Sequence, residues 1–259
     1  MLAIFEGDTQ INLFKMNPTK SFIALILFSS LVFSSCAQSL KDLKKQAEQK
    51  LQQTAKTSGF SEEEAGKALK EALSKGATKG TELVSKTDGY FGNPKIKIPF
   101  PPDAKKVEDK VRSLGLNKEC DDVVLSLNRA AEDAGSAAKD IFIRAISDMT
   151  ITDAINIVKG GENAGTEYLK SKTRAALVEA FKPIIKTSLD KVGATKNWEF
   201  VITRYNKIPL IEKVNPDLVQ FATERAIDGL FVKVAEEELL IRKDPIARTS
   251  ELLKKVFGG

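Results

Sequence analysis

The sequence predicts an all-α protein, an irregular multi-helix bundle of about nine or ten helices with one extended Pro-rich arm at about residues 88–103. Three observations predict it. Apolar residues recur at three- and four-residue intervals through most of the chain from Leu40 onward. The interruptions fall at Gly, at Asn-Pro and at Asp-Pro, which start or stop helices. A single stretch alternates with period two: Ile96, Ile98 and Phe100 against Lys95, Lys97 and Pro99. Its neighbours Pro101 and Pro102 exclude a central strand, so it reads as an arm whose apolar side chains plug into the helical body.

The elements follow in order. Residues 1–15 read as an upstream extension, because a leader beginning at Met16 is complete without them. Met16 to Lys20 form a short basic n-region, and the apolar run Phe22–Phe33 follows. At about 1.5 Å per residue that run is too short for a hydrocarbon core of about 30 Å, so it reads as a secretion signal ending at residue 35. Ser34 and Ser35 place Cys36 in a lipobox-like setting, where it is the expected lipid-attachment residue. Phe33 departs from the usual Leu. Ordinary cleavage after Ala37 is the alternative. Ala37 behind the Cys fits passage to the outer membrane.

Residues 36–60 then carry an amphipathic helix, Leu40–Ala55, and residues 61–259 a single helical domain. Ser61 and Glu64 form a capping box for a helix running toward Leu83, with Gly76 and Gly80 allowing close approach of a neighbour. Asp88-Gly89 and Gly92-Asn93-Pro94 open the arm with turns. Helices are expected at Pro102–Leu114, Lys118–Asp133, Ser136–Met149 and Asp153–Lys159, the last closed by Gly160-Gly161 in a left-handed cap. A short helix, Glu162–Lys170, precedes a long one from Thr173 to Lys191 that Pro183 should kink or restart. Asn197–Tyr205 holds the only Trp, Trp198, and an irregular stretch follows to Lys213. Asn215-Pro216 and Asp244-Pro245 start the last two helices, to about Arg242 and Phe257.

Composition narrows the chemistry. The hydrophobic fraction of 42% and charged fraction of 29% are those of a globular chain. The net charge of +5 is interspersed, and no nucleic-acid partner is expected. The chain has no His and two Cys. That removes His-based catalytic triads and His-containing zinc sites, and no Gly-rich phosphate loop or Cys-x-x-Cys pair appears. No metal and no cofactor is expected, and Cys120 reads as a small buried thiol.

The strings Asp88–Pro94, Ser126–Glu132, Ile157–Ala164, Asp190–Thr195 and Thr203–Pro209 stand out together. In that order they resemble the bacterial family catalogued as domain of unknown function 4197. The resemblance implies a small exported or lipidated helical protein of Gram-negative bacteria, and it brings no catalytic residue with it. Asn128 and Arg129 read as residues of a polar cleft or as structural ion-pair partners. So do Arg204, Tyr205 and Asn206, which could also satisfy orphan carbonyls at a helix end. Gly160, Gly161 and Glu162 precede a helix N-terminus that could bind an anion, although their turn-forming role explains the glycines. Of Glu236-Glu237-Glu238, one carboxylate is expected to turn inward.

Two functions remain open. The favoured one is a membrane-anchored envelope lipoprotein that binds a partner protein or an apolar ligand, or acts as a scaffold, without catalysis. The alternative is a His-independent hydrolase or lyase acting on envelope polymers through paired carboxylates.

Overall fold

The computed structural model describes residues 60–258, which lie within one compact unit, Ser58–Gly259. Cys36, the expected leader and the expected helix at Leu40–Ala55 fall outside the described residues. Among those residues there are nine α-helices and no strand. They are α1 (Glu62–Val84), α2 (Lys105–Ser113), α3 (Asn117–Gly135), α4 (Ala138–Ser147), α5 (Ile151–Lys159), α6 (Ala164–Lys191), α7 (Ala194–Tyr205), α8 (Leu218–Lys243) and α9 (Glu251–Phe257). Single 3₁₀ turns at Pro102–Ala104 and Pro245–Ala247 lead into α2 and follow α8.

Helices α1, α6 and α8 organise the bundle: α8 packs on α1, α3 and α6, and α6 also meets α3, α4 and α7. The expected capping box starts α1. The Ser61 hydroxyl accepts from the Glu64 N–H at 3.1 Å, and Glu64 Oε2 accepts from the Ser61 N–H at 2.8 Å. The α1–α8 contact depends on the two glycines read in the sequence. A Cβ at Gly80 would stand 3.2 Å from Val234 Cγ2 and 3.3 Å from the Val234 nitrogen, and one at Gly76 would stand 3.4 Å from Glu237 Cβ. Phe142 of α4 meets Phe231 of α8 edge to face at 5.7 Å. A smaller apolar cluster joins Ala65, Ala68 and Ala72 of α1 to Ile241 of α8 and to Leu253 and Val256 of α9.

The arm enters this body as the alternation predicts. Ile96, Ile98 and Phe100 are buried, whereas Lys95, Lys97 and Pro99 are exposed. Phe100 meets Trp198 edge to face at 5.4 Å. Its first half is a chain of turns, with Gly92 N–H bonded to the Asp88 carbonyl and Asn93 N–H to that of Tyr90. Turns run on through Ile96, whose N–H is bonded to the Asn93 carbonyl, and only the run 97–101 is free of turns and helix.

Four other expectations need correction. The short and long helices at 162–191 are one helix, α6. Its buried positions Leu169, Thr173, Leu177, Phe181, Ile185 and Leu189 run without a break. Their four-residue spacing winds the stripe slowly around the axis, so that one helix can meet several neighbours. Thr173 is inside that helix, its hydroxyl donating to the Leu169 carbonyl at 2.6 Å, and caps nothing. Pro183 does not end α6. It sits on the exposed side near exposed Glu179, whose carbonyl loses its helical partner where water can replace it. Gly160 is extended (φ −76°, ψ −179°) and not left-handed. What it supplies there is room, because a Cβ would lie 2.7 Å from Ala164 Cβ.

The last two helices also start later than Asn215 and Asp244 suggest. Asp217 caps α8, its carboxylate accepting from the Gln220 N–H at 2.8 Å, and Asn215 makes the preceding turn. Asp244 caps only the 3₁₀ turn, and Ser250 caps α9.

Candidate functional site

Asn128 and Arg129 lie on α3 against the arm. Asn128 is 0% exposed. Its Oδ1 accepts from the Ile98 N–H at 2.8 Å, while its Nδ2 donates to the Ile98 carbonyl at 2.8 Å and to the Val124 carbonyl at 2.7 Å. A primary amide thus offers the extended arm what a neighbouring strand would offer, so the buried Ile98 peptide groups are satisfied. One turn on, Glu132 Oε1 accepts from the N–H groups of Tyr90 and Phe91, each at 3.1 Å. Its Oε2 takes Arg129 Nη1 at 2.6 Å, and Arg129 Nη2 reaches Asp88 Oδ1 at 2.8 Å. Asp88 is left-handed (φ 64°), a conformation Asp tolerates.

Tyr90 completes this anchor. Its hydroxyl donates to the Ala226 carbonyl at 2.5 Å. Its ring lies over Gly229 of α8, where a Cβ would come within 2.7 Å of Cε1. Burial, and then the negative charges of Glu132 and Asp228, push the phenol well above its usual range. It is therefore a donor fixed in its protonated form. Asn128 and Arg129 are brought together here, both engaged with the arm.

Gly160, Gly161 and Glu162 join α5 to α6 at a different place. The N-terminus of α6 does meet an anion, and the anion is internal. Glu238 of α8, 5% exposed, accepts from the Gly165 N–H at 2.9 Å and from the N–H and hydroxyl of Thr166, each at 2.7 Å. Arg242 neutralises it through Nε at 3.0 Å and Nη2 at 2.8 Å, and also donates to the Ile157 carbonyl. A carboxylate at a helix N-terminus meets unsatisfied N–H groups and the positive end of the helix dipole. Glu162 faces outward and pairs with Lys243 at 2.5 Å. Glu238 is the inward carboxylate expected of the Glu236–Glu238 run.

Arg204, Tyr205 and Asn206 end α7. Arg204 stacks on the Phe200 ring, its guanidinium carbon 3.3 Å from the centroid, and Nη1 donates to the Phe200 carbonyl at 3.3 Å. Tyr205 is half-buried against the core. Asn206 repeats the device of Asn128: Oδ1 accepts from the Val214 N–H at 2.9 Å and Nδ2 donates to the Val214 carbonyl at 2.7 Å. That pair closes the neck of a loop, 207–213. Its tip is apolar and outward, with Ile208 53% and Leu210 106% exposed.

Sequence reasoning offers Glu132 as a partner of Arg129, which the structure bears out. It missed the bonds of Glu132 to the arm, and it missed Tyr90, Arg242 and this tip. For Glu238 a signal existed, because it follows Val234 by four positions and precedes Ile241 by three on the buried stripe of α8. Cys120 is buried as expected, and its thiol is pushed up, chiefly by desolvation.

Two open clefts carry polar groups. One of about 400 Å³ lies between α4, α5 and α6 and is lined by Arg144, Asp148, Asp153, Tyr168 and Lys172. Hydrogen bonds from the Thr150 side chain and backbone hold the Asp153 carboxyl below its usual range. A second, of about 430 Å³, lies where α6, α7 and the start of α8 meet, with Lys186, Asp190, Lys196 and Glu199. Trp198 borders a cleft of about 90 Å³, and its indole N–H is the one buried side-chain polar atom without a partner among the described residues. Among those residues no three Cys, Asp or Glu side chains converge as a metal site would require. No helix among them is long and apolar enough to cross a membrane.

These features define an all-α protein whose interior polar residues hold its own backbone in place. The chain belongs to the family described as "Protein of unknown function (DUF4197)", which it matches over residues 59–258. No curated protein and no solved structure matches it.

Proposed function

We propose that the chain is a membrane-anchored envelope lipoprotein and a non-enzymatic binding or scaffold protein, facing the periplasm from the outer membrane. The observation that carries the binding role is the loop 207–213, an apolar tip held away from the core by a polar clamp at its neck. Exposed apolar side chains presented together mark contact surfaces. The Phe22–Cys36 stretch supports the anchor.

Expression of the full chain in a Gram-negative host tests this reading. Cys36→Ser should move the protein from the membrane fraction to the soluble fraction. Unchanged membrane association of that variant would sink the anchor. A photo-crosslinking residue at Ile208 should give an adduct in cells, and a probe at exposed Lys159 should not.

A second reading attaches to the cleft between α4, α5 and α6, where Asp148 and Asp153 share an opening of about 400 Å³. A hydrolase or lyase working through paired carboxylates needs one of them to keep its proton near neutral pH. Asp153 is shifted the other way, by its bonds to Thr150. Asp153 is thus not the acid of such a pair, and Asp148 is exposed to solvent, so the cleft ranks below the loop. Turnover of an envelope polymer that Asp148→Asn abolishes, with the fold intact, would reverse that ranking.

A further inference from the structure

The geometry points to a specific partner for the clamped loop: the surface of an anionic lipid bilayer, met by the loop tip and the outer face of α7. This deepens the binding role proposed above and rests on it.

The tip comes first. Ile208, Pro209 and Leu210 are consecutive and exposed, and Ile211 is half-buried. Leu210 is also left-handed (φ 63°), a conformation that a leucine adopts at a cost. Nothing within the fold is gained in return, since the side chain stands wholly in solvent. Phe200 and Val201, in the turns of α7 that precede the loop, are exposed as well. The neck is rigid, because Asn206 bonds both peptide groups of buried Val214.

The collar comes second. Lys196, Arg204, Lys207 and Lys213 are exposed on α7 and the loop, against Glu199 and Glu212. Among the described residues none of these four cations forms an ion pair, whereas Arg129, Arg174 and Arg242 each do. Lys207 and Lys213 flank the apolar tip on either side. Arg204 lies flat on the Phe200 ring and commits one N–H group to a backbone carbonyl. The rest of its fork is available to a phosphate.

An apolar prong with a basic collar matches the boundary between headgroups and acyl chains, where short apolar segments insert by about 5–10 Å and lysines stay at the headgroups. A protein socket for the same prong would need no cationic rim. Reach is also sufficient. Residues 37–59 span at most about 80 Å when fully extended, so a chain anchored at Cys36 keeps the loop near the bilayer. A tethered site then needs only weak intrinsic affinity.

The test uses the chain from residue 36 onward carrying Cys36→Ser, so that the protein is free of the proposed lipid. It is sedimented with vesicles of phosphatidylethanolamine and phosphatidylglycerol, and with neutral phosphatidylcholine vesicles. Binding to the anionic vesicles, weakened by salt, is expected. Ile208→Ser with Leu210→Ser should lower the partition coefficient at least about tenfold. Lys207→Glu with Lys213→Glu should lower it similarly and flatten the salt dependence. These positions are exposed, so an unchanged unfolding midpoint confirms that each variant folds.

Equal sedimentation of the wild type and the Ile208→Ser, Leu210→Ser variant would overturn the proposal. So would absence of binding to either vesicle. A crosslink from position 208 to a single envelope protein, without vesicle binding, would replace the lipid by a protein socket. The anchor itself is read separately, by fractionation of Cys36→Ser in cells, so the two ideas fail independently.

Discussion

Among the described residues the chain twice leaves helical geometry for a long stretch, and each time an asparagine side chain holds the backbone. Asn128 pairs with Ile98 in the arm, and Asn206 pairs with Val214 at the loop neck, with nearly the same distances. The surroundings differ. The arm is also tied by Glu132 and Tyr90, and its apolar side chains enter the core. Among the described residues the loop has no second anchor of that kind, and its Ile208, Pro209 and Leu210 are exposed. One device therefore serves two ends, since the amide satisfies the peptide groups and the apolar pattern decides which side of the clamp faces the core. Two left-handed residues repeat the contrast. Asp88 in the arm has its carboxylate bound to Arg129, whereas Leu210 in the loop is held by nothing.

The largest test of this contrast is Phe100→Ala. A buried aromatic against Trp198 should cost about 3–5 kcal/mol when truncated. Chemical denaturation reads the change as a lower midpoint at an unaltered slope. A change within the surface range, below about 0.5 kcal/mol, would mean that the arm lies on the body without entering it. Asn128→Ala should come next, at about 2–4 kcal/mol. It leaves the N–H and carbonyl of Ile98 without a partner, each at about 1–2 kcal/mol, the lower part of the range for a buried unsatisfied group.

Much of the arm was legible because its signal is local. Ile96, Ile98 and Phe100 sit on one side of a period-two segment, and prolines forbid the strand that period would otherwise imply. The capping box at Ser61 and the close-approach glycines at Gly76 and Gly80 were legible for the same reason. The polar anchors were harder. Arg129 and Glu132 are three apart on one helix, but Glu132 serves peptide groups some forty positions earlier in sequence, and no spacing announces that. Glu238 caps a helix that starts more than seventy positions before it. The false break at Thr173 arose because a threonine there reads as a cap. In the fold its hydroxyl returns to the preceding turn, and the apolar stripe continues across it. The exposed tip could not be read at all: Ile-Pro-Leu-Ile looks like core in sequence, and only the clamp at Asn206 turns it outward.

Asn206→Ala sharpens the comparison from the other side. The same two hydrogen bonds are removed, but the site is only partly buried, so water replaces them. The expected loss is under about 1.5 kcal/mol, the net worth of an exchangeable bond. Equal costs for Asn128→Ala and Asn206→Ala would show that burial does not set the value of the clamp.

The smallest effect is expected at Leu210→Gly, and it separates the two regions most cleanly. A left-handed leucine carries about 1–2 kcal/mol of local strain, which glycine removes. Glycine also loosens the unfolded chain, and that works against stability by about 0.5–1 kcal/mol. The side chain buries nothing, so no packing is lost. The two effects nearly cancel, and the midpoint should stay or rise slightly. A loss above about 1 kcal/mol would mean that Leu210 packs against the fold, and the loop would then be a second arm. An unchanged midpoint together with weaker binding to anionic vesicles would mean that a strained leucine is kept for something outside the fold.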